Sequence, residues 1–440
     1  MNRLEVSRHV RGRRATWIWT LPLLLALLSL SCGGGGSGSS HSETETRPFA
    51  LASTGAQLVL NDPRGYLLLT QADLGTDVDI ISFHNDFYGI PWDEFENGTT
   101  LPAPWVEEMD RQAAFAVSAG KPVFLSLQLV AGSGRRYLAD KAVYQSGVLS
   151  LQSQWSAECY DFAVAPDGTS KRNAYLAYVE WMVRKFDPVH VNIAIEMNLF
   201  MSCNAAWDGL VAVANAAYDR VKAVKPRAVV FPSIQIDLLY GYGGGCASPG
   251  DPACFEANYA RLRNLKRDRF AISTYPHLIS NFIDPTALPA DWFTRAASRN
   301  NEPMVIAETG WNSTPVRALS PSGCVTVLDS SETNQLAYFD RLIQEATTNG
   351  MDLVTWWSNR DVLPVEVMTD CPCTFDPAWC GVVDLFRATG GSDPTLQYIG
   401  EVLLKAFGTM GLRDYDGNPK PGLFSRWSEV RAVPVAGSRQ

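Results

Sequence analysis

The sequence predicts an α/β fold, a single (β/α)8 TIM barrel whose long rim loops are stapled by disulfides. Two observations predict it. Eight apolar strand patterns alternate with helical patterns over residues 47–430, and some strands, such as residues 304–307, are apolar throughout. Strands buried on both faces of a parallel sheet read in this way. Barrels of this type commonly take about 250 to over 400 residues as one domain, so one domain accounts for the chain.

Each predicted element follows from a local pattern. The strands are short runs rich in Val, Ile and Phe, and the helices repeat apolar residues every three or four positions. Ser331 is a typical N-cap for the helix before strand eight. The predicted strands are residues 48–53, 78–84, 122–129, 189–196, 229–235, 270–275, 304–308 and 353–357. The predicted helices are 66–73, 103–119, 173–186, 206–224, 255–266, 291–298, the helix after Ser331, and one or two within 399–430.

The N-terminus predicts export. Arg11, Arg13 and Arg14 precede an apolar run of 14 residues, 17–30, which is too short for a permanent bilayer span but suits a signal peptide. The run ends in Leu28-Ser29-Leu30-Ser31-Cys32, which resembles a bacterial lipobox. We expect a signal peptide over 1–32, a lipidated Cys32 that anchors a monomer to the membrane at the cell envelope or outer surface, and a Gly/Ser-rich tether over 33–46. Ordinary cleavage with Cys32 incidental is the alternative. Residues 431–440 are predicted to be loose.

The cysteines predict disulfides. Removing Cys32 from nine leaves eight, and an even number in an exported chain favours disulfides over metal binding. Cys246 and Cys254 bracket one loop and are predicted to pair, while Cys159 and Cys203 are placed to bridge neighbouring rim loops. Two further bridges, of open order, join the remaining four, Cys324, Cys371, Cys373 and Cys380.

Charge and motifs exclude several partners. A net charge of −9 provides no basic field for phosphates, so we expect no nucleic acid. Residues 414–418 lack the later bidentate Glu of a calcium loop, and residues 243–245 do not open a helix after a strand as a phosphate cradle does. The sequence predicts neither a metal nor a cofactor.

Two carboxylates predict the chemistry. Glu308 ends strand seven and Glu196 ends strand four, where a buried strand has no structural use for an acid. Two acids on one barrel rim are what glycoside hydrolysis needs, one as acid/base and one as nucleophile, about 5 to 5.5 Å apart in a retaining mechanism. Tyr275, at the end of strand six, is placed to donate a hydrogen bond to Glu308, which would orient it and lower its pKa. Asp361 is the next candidate acid.

These residues carry a resemblance. Glu308 within residues 305–311, Tyr275 within 272–276 and the pair Trp356-Trp357 resemble clan A of the glycoside hydrolases, most closely the family 53 endo-β-1,4-galactanases, or arabinogalactanases. The resemblance implies Glu308 as nucleophile, Glu196 as acid/base, and a substrate of β-1,4-galactan or arabinogalactan. In one departure, Ile195 stands where clan members usually carry Asn immediately before the acid/base.

Other polar and aromatic residues at the strand ends are predicted to bind sugar. His84 and Asn85 close strand two, and Gln128 closes strand three, although a buried structural amide would look identical to Gln128. Only one of Trp356 and Trp357 can point into the barrel mouth, because side chains alternate along a strand. The predicted substrate-binding residues are His84, Asn85, Gln128, Asn198, His277, Trp311, Trp356 and Trp357.

The sequence therefore predicts a retaining, endo-acting glycoside hydrolase that cleaves a β-linked polysaccharide. Galactan or arabinogalactan is the first expectation, and β-glucan or β-mannan the second. Two alternatives stay open. One is a catalytically inactive barrel that binds glycans at the cell surface, and the other is a transglycosylase that uses the same two carboxylates.

Overall fold

The computed structural model describes residues 45–436 except 56, 59, 61–70, 133, 134, 146, 245, 247, 300 and 390. The predicted signal peptide, the lipidated Cys32 and the tether up to residue 44 lie outside the described residues. So do residues 66–70 of the first predicted helix and residues 437–440. Within the described part, no helix is both long enough and apolar enough to cross a bilayer.

Thirteen strands are described, and nine of them form one parallel sheet in the order β7-β6-β3-β2-β1-β13-β10-β9-β8. The other four make two antiparallel hairpins, β4 with β5 and β11 with β12. The strands are β1 Ala50–Thr54, β2 Ile80–His84, β3 Val123–Ser126, β4 Lys141–Gln145, β5 Val148–Gln152, β6 His190–Asn192, β7 Val229–Phe231, β8 Ser233–Gln235, β9 Phe270–Thr274, β10 Met304–Thr309, β11 Val316–Ser320, β12 Gly323–Leu328 and β13 Leu353–Trp356.

The sheet closes into a barrel through its fifth strand. β7 pairs with β6 and β8 pairs with β9, and only Pro232 separates β7 from β8. Proline has no backbone N–H to donate to a ladder, so it divides one predicted strand into two pieces that bond on opposite sides. With these pieces counted as one, eight parallel strands surround the interior, and the predicted (β/α)8 barrel is confirmed.

Helices cover the outside of the barrel. The apolar interior is small and includes Ala52, Phe124, Phe231 and Val305, whereas the larger core lies between the strands and the helices. The helices are α1 Gln71–Asp77, α2 Trp92–Asn97, α3 Ala103–Ala119, α4 Gly168–Phe186, α5 Trp207–Val224, α6 Ile236–Leu239, α7 Pro252–Ala260, α8 Pro276–Ile279, α9 Thr294–Ala297, α10 Glu332–Thr348, α11 Val365–Thr369, α12 Pro377–Ala388, α13 Pro394–Ala406 and α14 Leu423–Ala432.

Four disulfides staple the rim. Two of the pairings, Cys159 with Cys203 and Cys246 with Cys254, are the predicted ones. The order that the sequence left open is Cys324 with Cys371 and Cys373 with Cys380. The second of these bridges closes a short loop at the start of α12, and the first ties the β11–β12 hairpin to the segment after α11.

Several elements differ from the prediction, and three of the differences concern the long loop, the end of strand four and the C-terminus. The connection over residues 130–171 contains the β4–β5 hairpin and the first turn of α4. The fourth barrel strand, β6, ends at Asn192, so Glu196 lies beyond the regular part of this strand. The prediction of a loose C-terminus is wrong for residues 431–436, because Arg47 N–H donates to Pro434 O and Ala436 N–H donates to Arg47 O.

Candidate active site

A cavity of about 350 Å3 opens at the carboxyl ends of the barrel strands. One side of it is polar and the other apolar. The polar side is formed by His84, Asp86, Arg135, Glu196 and Glu308, and Tyr275 and Trp357 lie between the two sides. Both predicted catalytic carboxylates therefore face the same space, at the end of the barrel where (β/α)8 enzymes place their active sites.

A bulge turns Glu308 into this cavity. Val305 and Ala307 already face the barrel interior, so strict alternation would point Glu308 outward. The register against β9 shifts between Ile306 and Glu308, and the extra residue lets Ala307 and Glu308 face the same side. Thr309 then points outward, where its Oγ1 lies 2.7 Å from Tyr338 Oη on α10.

Glu196 reaches the cavity from irregular backbone after β6. Its φ and ψ of 47° and 44° lie in the left-handed region, which is uncommon for a residue with a side chain. Its backbone N–H donates to Ser233 Oγ at 2.9 Å, which fixes this turn to the neighbouring strand. Its carboxylate accepts a hydrogen bond of 2.6 Å from Ser273 Oγ and lies 3.2 Å from the Arg135 guanidinium.

One segment holds both acids. Tyr275 Oη donates to Glu308 Oε1 at 2.5 Å, as predicted, and Ser273, two residues earlier, donates to Glu196. Residues two apart on an extended strand point to the same side, so β9 and its extension present both donors to the cavity. This shared support fixes the two carboxylates relative to each other.

The hydrogen bond from Tyr275 lowers the pKa of Glu308, as predicted, but it does not set the net direction of the shift. Burial, followed by the negative charge of Glu196, raises the pKa of Glu308 from 4.5 to about 8, and the Tyr275 hydrogen bond only partly opposes this. Interacting carboxyls titrate as a pair. At neutral pH Glu308 is therefore largely protonated in the unliganded protein.

His84 and Asp86 complete the electrostatics. His84 Nδ1 lies 3.7 Å from Glu308 Oε2, and burial, with Arg135 nearby, lowers the pKa of His84 to about 3. It is therefore neutral and adds no charge to the site. Burial raises the pKa of Asp86 to about 6, a shift that Arg135 partly opposes. Arg135 is the only charged cation among the residues that line the described cavity.

The tryptophans divide as side-chain alternation predicts. Trp357 lines the cavity, with its ring edge-on to His84 at a centroid distance of 5.0 Å. Trp356 points to the helices instead and donates to Met410 O at 2.7 Å. Trp311 is buried and donates to Ser330 Oγ at 2.9 Å. The substrate-binding role predicted for Trp311 and Trp356 is wrong, because neither ring faces the cavity.

The remaining predicted residues have mixed outcomes. Asn198 exchanges hydrogen bonds with the Gln235 backbone and does not line this cavity, and its predicted contact with sugar stays a prediction. His277 stacks on Trp311 and bonds Asn312, and it lines an adjoining cavity instead.

Asn85 and Gln128 are buried, and their side-chain amides have no hydrogen-bond partner in the part of the protein that the structure describes. Their predicted role in sugar binding stays a prediction. Asp361, the reserve acid, is paired with Lys420 at 2.7 Å in a buried site outside the cavity lining.

Sequence reasoning missed three members of the site. Arg135 lies in a loop without a pattern, 61 residues before Glu196, so no local signal connects the two. Ser273 could have been predicted from the alternation of side chains along β9, because it lies two positions before Tyr275. Asp86 lies in a short 3-10 helix directly after His84. It could have been predicted by the same argument that selected His84 and Asn85 at the end of strand two.

One group of potential metal ligands occurs among the described residues. Asp370, Cys373 and Cys380 place one ligand atom each within 4.8 Å of the others. Cys373 and Cys380 are joined in a disulfide, so neither supplies the thiolate that a transition metal would bind. The group lies outside the lining of the catalytic cavity.

No protein-family model and no curated protein matches the chain. Several solved structures are similar to it. An exo-β-1,4-mannosidase from Opitutaceae bacterium strain TAV5 has a TM-score of 0.49 and 15% identity over 89% of this chain and 61% of that one. A Streptomyces cattleya protein in complex with Manβ1-4GlcNAc has a TM-score of 0.48 and 12% identity, over 88% and 82%.

A Bacteroides uniformis β-glucuronidase has a TM-score of 0.44 and 10% identity over 88% of this chain, which spans only 35% of the length of that enzyme. With TM-scores below 0.5, these similarities say nothing about which reaction this chain carries out.

Proposed function

We propose that this protein is a retaining glycoside hydrolase. One observation carries the proposal: Glu196 and Glu308 line one cavity at the barrel mouth, and Ser273 and Tyr275 of a single segment hold them there. Retaining glycosidases need two carboxyl groups that share one proton, an ionised one to attack the anomeric carbon and a protonated one to donate to the leaving oxygen. Because the pKa of Glu308 is raised to about 8, the site keeps a proton at neutral pH.

In the proposed mechanism Glu308 is the nucleophile. Tyr275 donates to Glu308 Oε1 and stabilises the ionised form, which leaves Oε2 to attack the anomeric carbon. Glu196 protonates the leaving oxygen as the glycosidic bond breaks and a glycosyl ester forms on Glu308. It then takes a proton from the water that hydrolyses this ester, so that the pair returns to one shared proton.

The proton has to move when substrate binds. It resides on Glu308 in the unliganded protein, whereas the first step needs it on Glu196. Arg135, 3.2 Å from Glu196, favours the ionised form of Glu308 through its positive charge, as Tyr275 does through its hydrogen bond. We infer that the bound sugar favours transfer of the proton to Glu196 and ionisation of Glu308.

The substrate is proposed to be β-linked. Internal cleavage of a galactan or arabinogalactan is the first candidate, followed by a β-glucan or β-mannan. Trp357 supports sugar binding, because its ring lines the cavity and its indole N–H has no hydrogen-bond partner in the described structure. The cavity volume of about 350 Å3 is near the lower end for ligand sites and also fits a shorter glycoside.

The test is hydrolysis of a substrate panel by wild type and three variants. The panel contains galactan, arabinogalactan, β-glucan and β-mannan together with 4-nitrophenyl β-galactoside, β-glucoside and β-mannoside. We expect Glu308→Gln and Glu196→Gln to lose about a thousandfold or more in rate on whichever substrate wild type cleaves. Glu256→Gln, which removes an acid paired with Arg299 on the surface, should retain full activity.

Equal activity in wild type and both active-site variants would overturn the mechanism. Binding of a glycan without any cleavage would instead favour the surface glycan-binding protein. Transfer of sugar to an added alcohol acceptor in preference to water would favour the transglycosylase, which shares both carboxylates.

A further inference from the structure

We propose that the substrate is an amphiphilic glycoside, with a sugar that binds at the two carboxylates and an apolar chain that binds along α13. This inference rests on the proposed function and assigns it a substrate class in place of the polysaccharides named above. It comes from the other half of the cavity, which neither the sequence nor the mechanism accounts for.

The wall opposite the acids is apolar. α12 and α13, together with the residue that follows α13, contribute Phe386, Leu403, Leu404 and Phe407 to the cavity lining. The Phe407 ring packs edge-on against Tyr275 at a centroid distance of 5.1 Å, so this wall begins at the residue that holds Glu308. Sugar hydroxyls need hydrogen-bond partners when they are buried, and these four side chains offer none.

The apolar surface continues away from the catalytic pair. A second cavity of about 300 Å3 shares Tyr275, Ile279, Leu403 and Phe407 with the first. It extends along α13 to Val316 and Leu328 of the β11–β12 hairpin. The two cavities adjoin each other along these four shared residues. Together they offer room for a ligand that is longer than one sugar ring.

The absence of charged side chains in the second cavity favours an uncharged ligand chain over a charged one. None of the described residues that line it is Asp, Glu, Lys or Arg. Its histidine, His277, is buried against Trp311, and burial lowers its pKa to about 3, so it is neutral as well. The transfer of methylene groups from water to such a surface is favourable in free energy.

The wall is fixed before any ligand binds. The buried ammonium of Lys405 on α13 donates to Arg317 O on β11 at 2.8 Å and to Glu401 Oε1 at 2.8 Å. Disulfides between Cys324 and Cys371 and between Cys373 and Cys380 tie the same hairpin and helices together. A site that is already formed loses little conformational entropy on binding, which favours affinity for an apolar chain.

Leu403 offers the sharpest test. It lines both cavities yet is 62% exposed, so a polar residue at this position removes apolar contact without opening the core. Leu385 on α12 is a matched control, because it is 65% exposed and lines neither cavity.

The experiment measures binding by calorimetry, in the Glu308→Gln protein so that no probe is cleaved. The probes are the methyl and octyl β-galactosides, β-glucosides and β-mannosides, all below micelle-forming concentration. We expect at least one octyl glycoside to bind about tenfold or more tightly than its methyl partner, since burying even part of the chain gains this much. Adding Leu403→Asn should reduce that ratio severalfold, and adding Leu385→Asn should leave it unchanged.

Equal affinity for every methyl and octyl pair would overturn the inference, and so would a ratio that Leu403→Asn leaves unchanged. A failure of the proposed function has a different signature. In that case the octyl preference and its loss in Leu403→Asn persist, but wild-type protein releases no octanol from the octyl glycoside that binds most tightly.

Discussion

Tyr275 Oη donates a hydrogen bond of 2.5 Å to Glu308 Oε1, and yet Glu308 has a pKa of about 8. A donor of this kind stabilises the ionised form of a carboxyl, so it lowers the pKa. Burial and the charge of Glu196 act in the opposite direction and outweigh it. Glu308 is therefore held in place by Tyr275, while its charge is governed by its burial and by the charge of Glu196. This relationship leads to the predictions that follow.

The pH dependence of activity should show the titration of the pair. Above about pH 8 the pair loses its last proton, so kcat/KM should fall as pH rises through this value. Tyr275→Phe removes a donor to the ionised form, so it should move this fall to higher pH and reduce kcat/KM by about tenfold or more. pH profiles of both proteins check this. A fall that stays at the same pH in Tyr275→Phe would show that the hydrogen bond does not tune the pair.

Stability should carry the same signature. Because folding raises the pKa of Glu308 from 4.5 to about 8, its contribution to stability is fully present below pH 4.5 and is lost as pH rises toward 8. Gln is neutral throughout, so Glu308→Gln should match wild type near pH 4.5 and unfold at a Tm about 2 °C or more higher at pH 8. Thermal scans from pH 4.5 to 8 test this. A constant difference in Tm over that range would contradict the raised pKa.

Arg135 should act on the pair through its charge. Its guanidinium is 3.2 Å from Glu196 and lowers the pKa of Glu308. We expect Arg135→Gln to shift the alkaline fall in kcat/KM to higher pH, because the anionic form of the pair loses a neighbouring cation. The neighbouring Arg136, paired with exposed Glu158 at 2.9 Å, gives a matched control whose substitution by Gln should leave the profile unchanged. Identical profiles for the two variants would assign Arg135 a packing role only.

Substitution of the two adjacent tryptophans should affect different properties, stability for Trp356 and substrate binding for Trp357. Trp356 is fully buried among the helices, so Trp356→Ala should lower the free energy of unfolding by about 3 to 5 kcal/mol. Trp357 lines the cavity, so Trp357→Ala should cost less stability and raise KM by roughly tenfold through lost ring contact. Denaturant unfolding and steady-state kinetics on both variants separate these effects. An unchanged KM in Trp357→Ala would remove this ring from the site.

Much of the scaffold was predictable, because each barrel strand and most long helices are encoded in their own local patterns, although α12 and the two hairpins were not predicted. α3 begins and ends at the predicted residues, Ala103 and Ala119, since its apolar spacing stops at Gly120. The carboxylate pair was also predictable, because the fourth and seventh barrel strands, β6 and β10, end at the same rim and each leads to one of the acids. Trp357 rather than Trp356 could not be selected in advance, although alternation required that only one of them face the cavity.

What depends on distant segments was not predictable. Arg135 meets Glu196 only because the loop after β3 folds over the mouth, and that loop has no periodic pattern. Phe407 reaches Tyr275 because α13 packs against the β11–β12 hairpin, which is a tertiary relationship. The sign of the Glu308 shift follows from how deeply the site is buried, and burial at a strand end cannot be determined from the residues around it.

The most direct test is to identify the residue that carries the sugar. Wild-type protein is incubated with 2-fluoro glycosides of galactose, glucose and mannose that carry a good leaving group, and its peptides are analysed by mass spectrometry. The double-displacement account predicts a fluoroglycosyl adduct on the peptide that contains Glu308, and none in Glu308→Gln. An adduct on Glu196 instead, or turnover of a glycoside by wild type with inversion at the anomeric carbon, would contradict it.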